Sequence, residues 1–321
     1  MSATPASRRS RPLRIGPLRI GTRGSALALY QAGFVRDRLR AAHAELAAEG
    51  AVELVPIRTT GDRVQNRLLA EIGGKGLFTK EIEEALLDGR IDIAVHSLKD
   101  METYLAPGLE IGCVLPRDDP RDVLVSRGGM SLAELPNGAR VGTASLRRTA
   151  QLLRARPDLA IAPIRGNVDT RLDKLAAGEV DALVLALCGL ERLGKADVAS
   201  EILSTEQMLP AVGQGALAVE CRADDADVRR LLAPLNDAAS AACVAAERAM
   251  LAALDGSCRT PIGGLATISG ERLVLDGLLL SEDGKAERRG RGDGAVGDAA
   301  EIGTELGLRL KRDAGPEFGL G

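Results

Sequence analysis

Three groups of residues in this chain have types and spacing that could do chemistry. The first is an arginine run. Between 139 and 171, Arg140, Arg147, Arg148, Arg154, Arg156, Arg165 and Arg171 are accompanied only by Asp158 and Asp169 as acids. A guanidinium presents a planar fork of donors that matches carboxylate or phosphate. The whole chain carries a formal net charge of −3, so this local surplus reads as a dedicated anion site rather than a general polyanion surface. The second group is Ser97, Lys99 and Asp100, at the end of an apolar stretch. A carboxylate in a basic cleft can move a proton or stabilise a cation, although a surface ion pair would give the same sequence. The third is Cys258, in the Gly- and Pro-rich stretch LDGSCRTPIGG beside Arg259. A cationic neighbour and exposure favour the thiolate, the reactive form. Spacing alone leaves an idle loop cysteine open.

Other candidates are weaker. Lys75 lies in Gly73–Gly74–Lys75–Gly76, which lacks the GxxxxGK[ST] spacing of a phosphate loop, so nucleotide hydrolysis is not expected. His43 and His96 have no metal-ligand spacing, and no metal site is expected. His96 is expected to pack and hydrogen-bond at a strand end. Cys113, Cys188, Cys221 and Cys243 sit in or beside apolar segments and read as reduced core thiols of a cytoplasmic protein.

The elements that must position these residues alternate. In the arginine run, 139–143 reads as a strand, and Ser145 caps a helix with Leu146, Ala150 and Leu153 on one face that Pro157 ends. A strand at 159–164 follows, then a helix capped by Asn167 and stopped at Gly178, then the continuously apolar strand 181–187. Such βαβαβ units carry ligands at strand carboxyl ends and helix amino ends, where helix dipoles add to the arginine charge. The N-terminal third repeats the plan: strand 18–22, helix from about Ser25 to Arg40, strand 52–58, a helix with Leu77, Phe78, Ile82, Ala85 and Leu86 inward, and strand 91–97. Arg23, Ser25, Lys75, Ser97, Lys99 and Asp100 fall at its junctions. The apolar end of 209–221 could return to this first lobe. Beyond it, an Ala-rich helix at 239–254, strands near 266–280 and a weaker helix near 297–312 make a small α+β unit.

The expected fold is therefore α/β with three domains: a first lobe from 18–115 and 216–235, a second lobe at 116–215, and an α+β domain at 236–321. Residues 1–17 read as a disordered basic tail without the apolar core of a secretory signal. Scarce aromatics (no Trp, two Tyr, three Phe) and the net charge argue against nucleic-acid binding. No apolar run reaches membrane-spanning length.

In order along the chain stand RIGTRGSALAL (19–29), GGKGLFTKE (73–81), HSLKD (96–100), RDDPRDVLVS (117–126), GTASLRR (142–148), RGNVDTRL (165–172), LPAVGQGA (209–216) and GSCRTPIG (256–263). Together they resemble the porphobilinogen deaminase (hydroxymethylbilane synthase) family over roughly residues 18–265. The resemblance implies two lobes like periplasmic binding proteins plus a small α+β domain, in a monomeric, cytoplasmic transferase. It implies a dipyrromethane cofactor held through a thioether to Cys258 and contacted by Lys99, Asp100, Thr143, Ser145, Arg147, Arg148 and Arg171. It further implies Asp100, with Lys99, as the catalytic group, and Arg23, Ser25, Ser97, Arg165 and Arg192 as contacts of the substrate porphobilinogen. Lys75 and Phe78 would belong to a flexible region near the cleft. One departure stands out: Met101–Glu102 follow Lys-Asp where many relatives have Val-Pro. The lobe pattern alone also allows a non-catalytic two-lobed anion-binding protein. Cys258 separates the two readings, because a binding module needs no covalently loaded thiol.

Overall fold

A computed structural model describes residues 16–63, 78–256 and 260–319. Lys75, Cys258 and all but the last two residues of the expected tail lie outside the described residues.

The first sheet holds β1 (Leu18–Thr22), β2 (Val52–Pro56), β3 (Ile93–Ser97) and β4 (Leu109–Val114), joined by β10 (Leu217–Arg222). Its order is β2-β1-β3-β10-β4, with β1 parallel to its neighbours and β10 antiparallel to both of its own. The helices α1 (Ala26–Ala42), α2 (Thr60–Arg63), α3 (Lys80–Leu87) and α7 (Ala226–Leu232) belong to the same stretches of chain. Ile82, Ala85 and Leu86 of α3 are buried, as their spacing requires, whereas Phe78 precedes the helix and is only partly buried, and Leu77 lies outside the described residues. The second sheet holds β5 (Asp122–Ser126), β6 (Arg140–Gly142), β7 (Ala160–Ala162), β8 (Ala182–Ala186) and β9 (Glu201–Ile202), in the order β7-β6-β8-β5-β9. Between its strands run α4 (Leu146–Ala155), α5 (Val168–Ala176) and α6 (Leu187–Arg192).

The two sheets share one plan, an antiparallel strand inserted beside the third parallel one. In the second sheet it is the entering strand, β5; in the first it is the returning strand, β10. The chain therefore crosses between lobes twice, and the crossovers run side by side. Asp118 N–H donates to the Gly215 carbonyl (3.3 Å), and Arg117 Nε donates to the Gln214 carbonyl (2.8 Å).

The third unit is an antiparallel sheet, β11 (Ile262–Ser269), β12 (Arg272–Leu280) and β13 (Glu287–Ala295), packed with α8 (Ala238–Ala253) and α9 (Ala299–Arg312). β13, ERRGRGDGA, has no apolar alternation and was not expected. Its inward positions are glycines, because α9 lies too close for a side chain. A Cβ on Gly290 would stand 2.7 Å from Leu306 Cδ1, and one on Gly294 2.9 Å from Ile302 Cδ1. The Arg117–Glu247 ion pair fastens this unit to both crossovers: the Glu247 carboxylate, fully buried on α8, also accepts from Gly213 N–H (2.7 Å) and Ala266 N–H (2.8 Å).

Candidate active site

The turn after β3 is fixed from both sides. Leu98 is buried, its N–H bonds the Ala216 carbonyl (3.0 Å), and Met101 N–H closes the turn on the Leu98 carbonyl (3.1 Å). Asp100 is left exposed and Lys99 half-buried. Lys99 Nζ donates to Gln214 Oε1 (3.2 Å) across the second crossover. Gln214 is fully buried and passes the link on, its Nε2 donating to the Pro120 carbonyl (2.6 Å) and to Asp122 Oδ1 (2.9 Å).

Asp122, fully buried at the first residue of β5, is the anchor of the second lobe's wall. Arg147 Nη2 meets its Oδ2 at 2.7 Å, and Arg148 Nη2 meets its Oδ1 at 2.7 Å. Burial by itself would raise this carboxyl's pKa, but the two guanidiniums outweigh it and hold it well below the usual carboxylate range. The forks that looked free in sequence are thus largely committed. Arg147 Nη1 donates to the Leu209 carbonyl (2.7 Å) and Arg148 Nη1 to the Val184 carbonyl (2.9 Å), leaving the two residues 5% and 6% exposed. Their place in the first turn of α4 is set by Ser145, whose hydroxyl caps the helix. Thr143, nearly buried, accepts from Ser145 N–H at 3.2 Å.

Around this wall the cations crowd one another. Burial first, then Arg148, pulls the Lys99 pKa down, against the opposite pull of Asp100. Arg171, whose Nε donates to the Gly166 carbonyl (2.9 Å), is lowered to about 10 by burial and then by Arg148, with Arg165 adding to the repulsion and Asp100 opposing it. Arg148 and Asp100 thus act on both Lys99 and Arg171, and Arg165 acts on Arg171.

On the first lobe, Asp100 also lines a pocket with Arg23, Gln31, Phe78, His96 and Ser97. The Arg23 guanidinium lies 4.2 Å from the Phe78 ring centroid. Gln31 Nε2 donates to Ser97 Oγ (2.8 Å). Ser25 caps α1 by accepting from Ala28 N–H. His96 pairs with Glu220 (Nε2 to Oε2, 3.1 Å), both nearly or fully buried, in keeping with a packed strand-end histidine. Arg192 stands apart from the pocket. It is spent at the crossovers, with Nε on Asp118 Oδ2 (2.8 Å) and Nη2 on the Gly215 carbonyl (2.7 Å).

The segment leading to Cys258 is tied to the stretch just after the turn that carries Lys99 and Asp100. Thr103 Oγ1 donates to the Gly256 carbonyl (2.9 Å), and Arg248 Nη2 donates to the Glu102 (3.0 Å) and Thr103 (2.9 Å) carbonyls. The Met101–Glu102 pair is accommodated here, with Met101 buried in a cluster that includes Val244 of α8. Asp122, Gln214 and Gln31 were given no role from sequence. Each lies inside or beside a quoted motif, but its partner is far away in the chain.

Two family models match the chain: porphobilinogen deaminase, dipyromethane cofactor binding domain, over residues 18–230, and porphobilinogen deaminase, C-terminal domain, over residues 241–312. Porphobilinogen deaminase of Paracoccus denitrificans is 55% identical over 302 residues, covering 94% of this chain and 96% of that protein. That of Nitrobacter hamburgensis is 53% identical over 299 residues, covering 93% and 94%. The chloroplastic enzyme of Oryza sativa subsp. japonica is 51% identical over 310 residues, covering 95% and 86%. Among solved structures, the periplasmic aliphatic sulphonate binding protein SsuA of Escherichia coli aligns at a TM-score of 0.40 and 15% identity, covering 75% of this chain and 71% of that one. With both family models in place and relatives above half identity along nearly its whole length, this chain belongs to the porphobilinogen deaminase family.

Proposed function

We propose that this chain is a transferase of tetrapyrrole synthesis, joining four porphobilinogen molecules head to tail, each with loss of ammonia, before water releases hydroxymethylbilane. The observation that carries this reading is the position of Asp100, exposed where the first-lobe pocket meets the cationic wall of the second lobe. A protein that only bound anions would gain nothing from a carboxylate there, since it repels the ligand. A carboxylate is useful where positive charge develops.

The residues fit a dipyrromethane cofactor. Such a group carries an acetate and a propionate on each ring, and an anion would relieve the repulsion that Arg148 exerts on Lys99 and that Arg148 and Arg165 exert on Arg171. Bound through Cys258, the cofactor supplies the free pyrrole α-carbon to which substrate is joined. Thr143, Ser145 and Arg171 serve its carboxylates, while Arg147 and Arg148, braced by Asp122, hold that wall rigid. Arg23, Ser25, Ser97 and Arg165 hold incoming porphobilinogen, and Arg192 supports them from the crossovers. Asp100 stabilises the positive charge on the pyrrole nitrogen as the carbon–nitrogen bond breaks and the electron pair leaves with ammonia. It then takes part in moving the proton released when the new carbon–carbon bond forms. Lys99, beside it, balances its charge.

The same reading gives three domains with the boundaries set out from sequence, and a protein working as a monomer, because both walls of the site come from one chain. Its buried thiols, Cys113, Cys188, Cys221 and Cys243, are unpaired, which suits the reducing cytoplasm. Among the described residues no helix is long and apolar enough to cross a membrane.

Intact-mass measurement tests the proposal. The purified protein should carry a dipyrromethane adduct and turn over porphobilinogen, and Cys258→Ser should lack the adduct. Identical masses apart from the substitution would sink it.

A further inference from the structure

Gln214 lies between the lobes with every polar atom of its carboxamide assigned. Its Nε2 has two acceptors, the Pro120 carbonyl at 2.6 Å and Asp122 Oδ1 at 2.9 Å. An amide nitrogen donates and an amide oxygen accepts, so these two contacts fix which end faces Lys99. Oε1 must point to Lys99 Nζ, 3.2 Å away. The residue is fully buried, flanked by Gly213 and Gly215, both at positive φ (+72° and +89°). A Cβ at Gly215 would stand 2.4 Å from the Asp118 carbonyl oxygen, so the backbone here is held against the first crossover. Taking the porphobilinogen reaction as its premise, we propose that Gln214 is a positioning residue: its carboxamide oxygen holds the Lys99 ammonium beside Asp100, and its nitrogen ties that ammonium to Asp122 and the Arg147–Arg148 wall of the other lobe.

A neutral acceptor on an ammonium favours the charged form. Around Lys99, burial and Arg148 of α4 act against that charge, whereas Asp100 on the same turn, Cys188 of α6 and Asp122 of β5 support it. Gln214 adds the one direct hydrogen-bond acceptor recorded for Nζ among the described residues. Pro120 and Asp122 hold the nitrogen end of that carboxamide, so the orientation of the acceptor for Lys99 is set from the first crossover and β5.

The test is residue-resolved acetylation of the purified protein with acetic anhydride across pH, read by peptide mass spectrometry. Lys285, with 86% of its side chain exposed, serves as internal reference. Gln214→Met keeps the length and removes the acceptor. Lys99 should then acetylate faster below its midpoint, about tenfold for each unit by which the midpoint falls. Gln214→Glu puts a negative charge in the same place and should move the midpoint up. Should the Met variant fail to fold, the Glu variant carries the test. A midpoint unchanged in either folded variant overturns the proposal. Turnover is measured in parallel: kcat should fall more than tenfold in Gln214→Met with KM little changed, and its high-pH limb should shift downward. Absence of porphobilinogen turnover in the wild type would overturn the proposed function and leave the acetylation result standing.

Discussion

Thr103 Oγ1 donates to the Gly256 carbonyl at 2.9 Å, joining a residue just after Asp100 to one just before Cys258. The bond crosses from the first lobe to the third unit and ties together the two segments that must cooperate if a cofactor on Cys258 is to present its free end to Asp100. Arg248 reinforces it from α8 through the Glu102 and Thr103 carbonyls.

Thr103→Val keeps the shape and removes the donor. The expected cost to stability is about 1 kcal/mol, that of one ordinary hydrogen bond. The larger expected effect is on cofactor loading. Intact mass of freshly expressed protein should show a greater fraction without the adduct than in wild type, and full loading at the wild-type rate would show that the tie does not matter.

Asp100→Asn separates chemistry from assembly of the fold. Asp100 is exposed, and Lys99 and Arg171 keep their bonds to Gln214 and the Gly166 carbonyl, so the melting temperature should hardly move. Loss of the negative charge should lower kcat by roughly a hundredfold to a thousandfold or more. Near-normal turnover would remove Asp100 from the mechanism.

Much of this arrangement was legible in sequence because it follows local rules. The caps Ser145 and Asn167 and the period of the apolar residues located the helices they begin. What was not legible depended on long-range pairing. The arginine run reads as open anion-binding forks until Asp122, before it in the chain, is seen to occupy those of Arg147 and Arg148. β13 was missed because its packing face is built from absent side chains at Gly290, Gly292 and Gly294, which no hydrophobic pattern can reveal.

Asp122 should govern the acid limb of stability. Its carboxyl pKa is held below the ordinary value by Arg147 and Arg148 against the opposing effect of burial, so the ionised form stabilises the fold at neutral pH. That contribution is present above the unfolded value of about 3.9 and is lost progressively as pH falls below it. Asp122→Asn leaves two buried guanidiniums without their counter-charge and should cost about 3 kcal/mol or more at pH 7. The difference between wild type and variant in urea unfolding should narrow as pH falls below 4. A gap that widened toward acid would contradict the assignment.

Gly213 tests whether the second crossover must press on the catalytic turn. Its φ is +72°, and a Cβ there would stand 2.0 Å from Leu98 Cδ2, the residue next to Lys99. Alanine would meet two penalties. The left-handed backbone costs about 1 kcal/mol for a residue with a Cβ. The clash must also move either Leu98 or the crossover, and Leu98 has little room because it is buried with its N–H on the Ala216 carbonyl. Gly270 supplies the control: its φ is +61°, but nothing lies within 4 Å of its missing Cβ. Gly270→Ala should show the backbone cost alone, with porphobilinogen turnover intact. Gly213→Ala should lose more stability and, in the protein that remains folded, lose kcat, because Lys99 and Asp100 move with Leu98. Equal effects of the two substitutions on melting temperature and on kcat would mean that the crossover is a tether and plays no part in holding the catalytic turn.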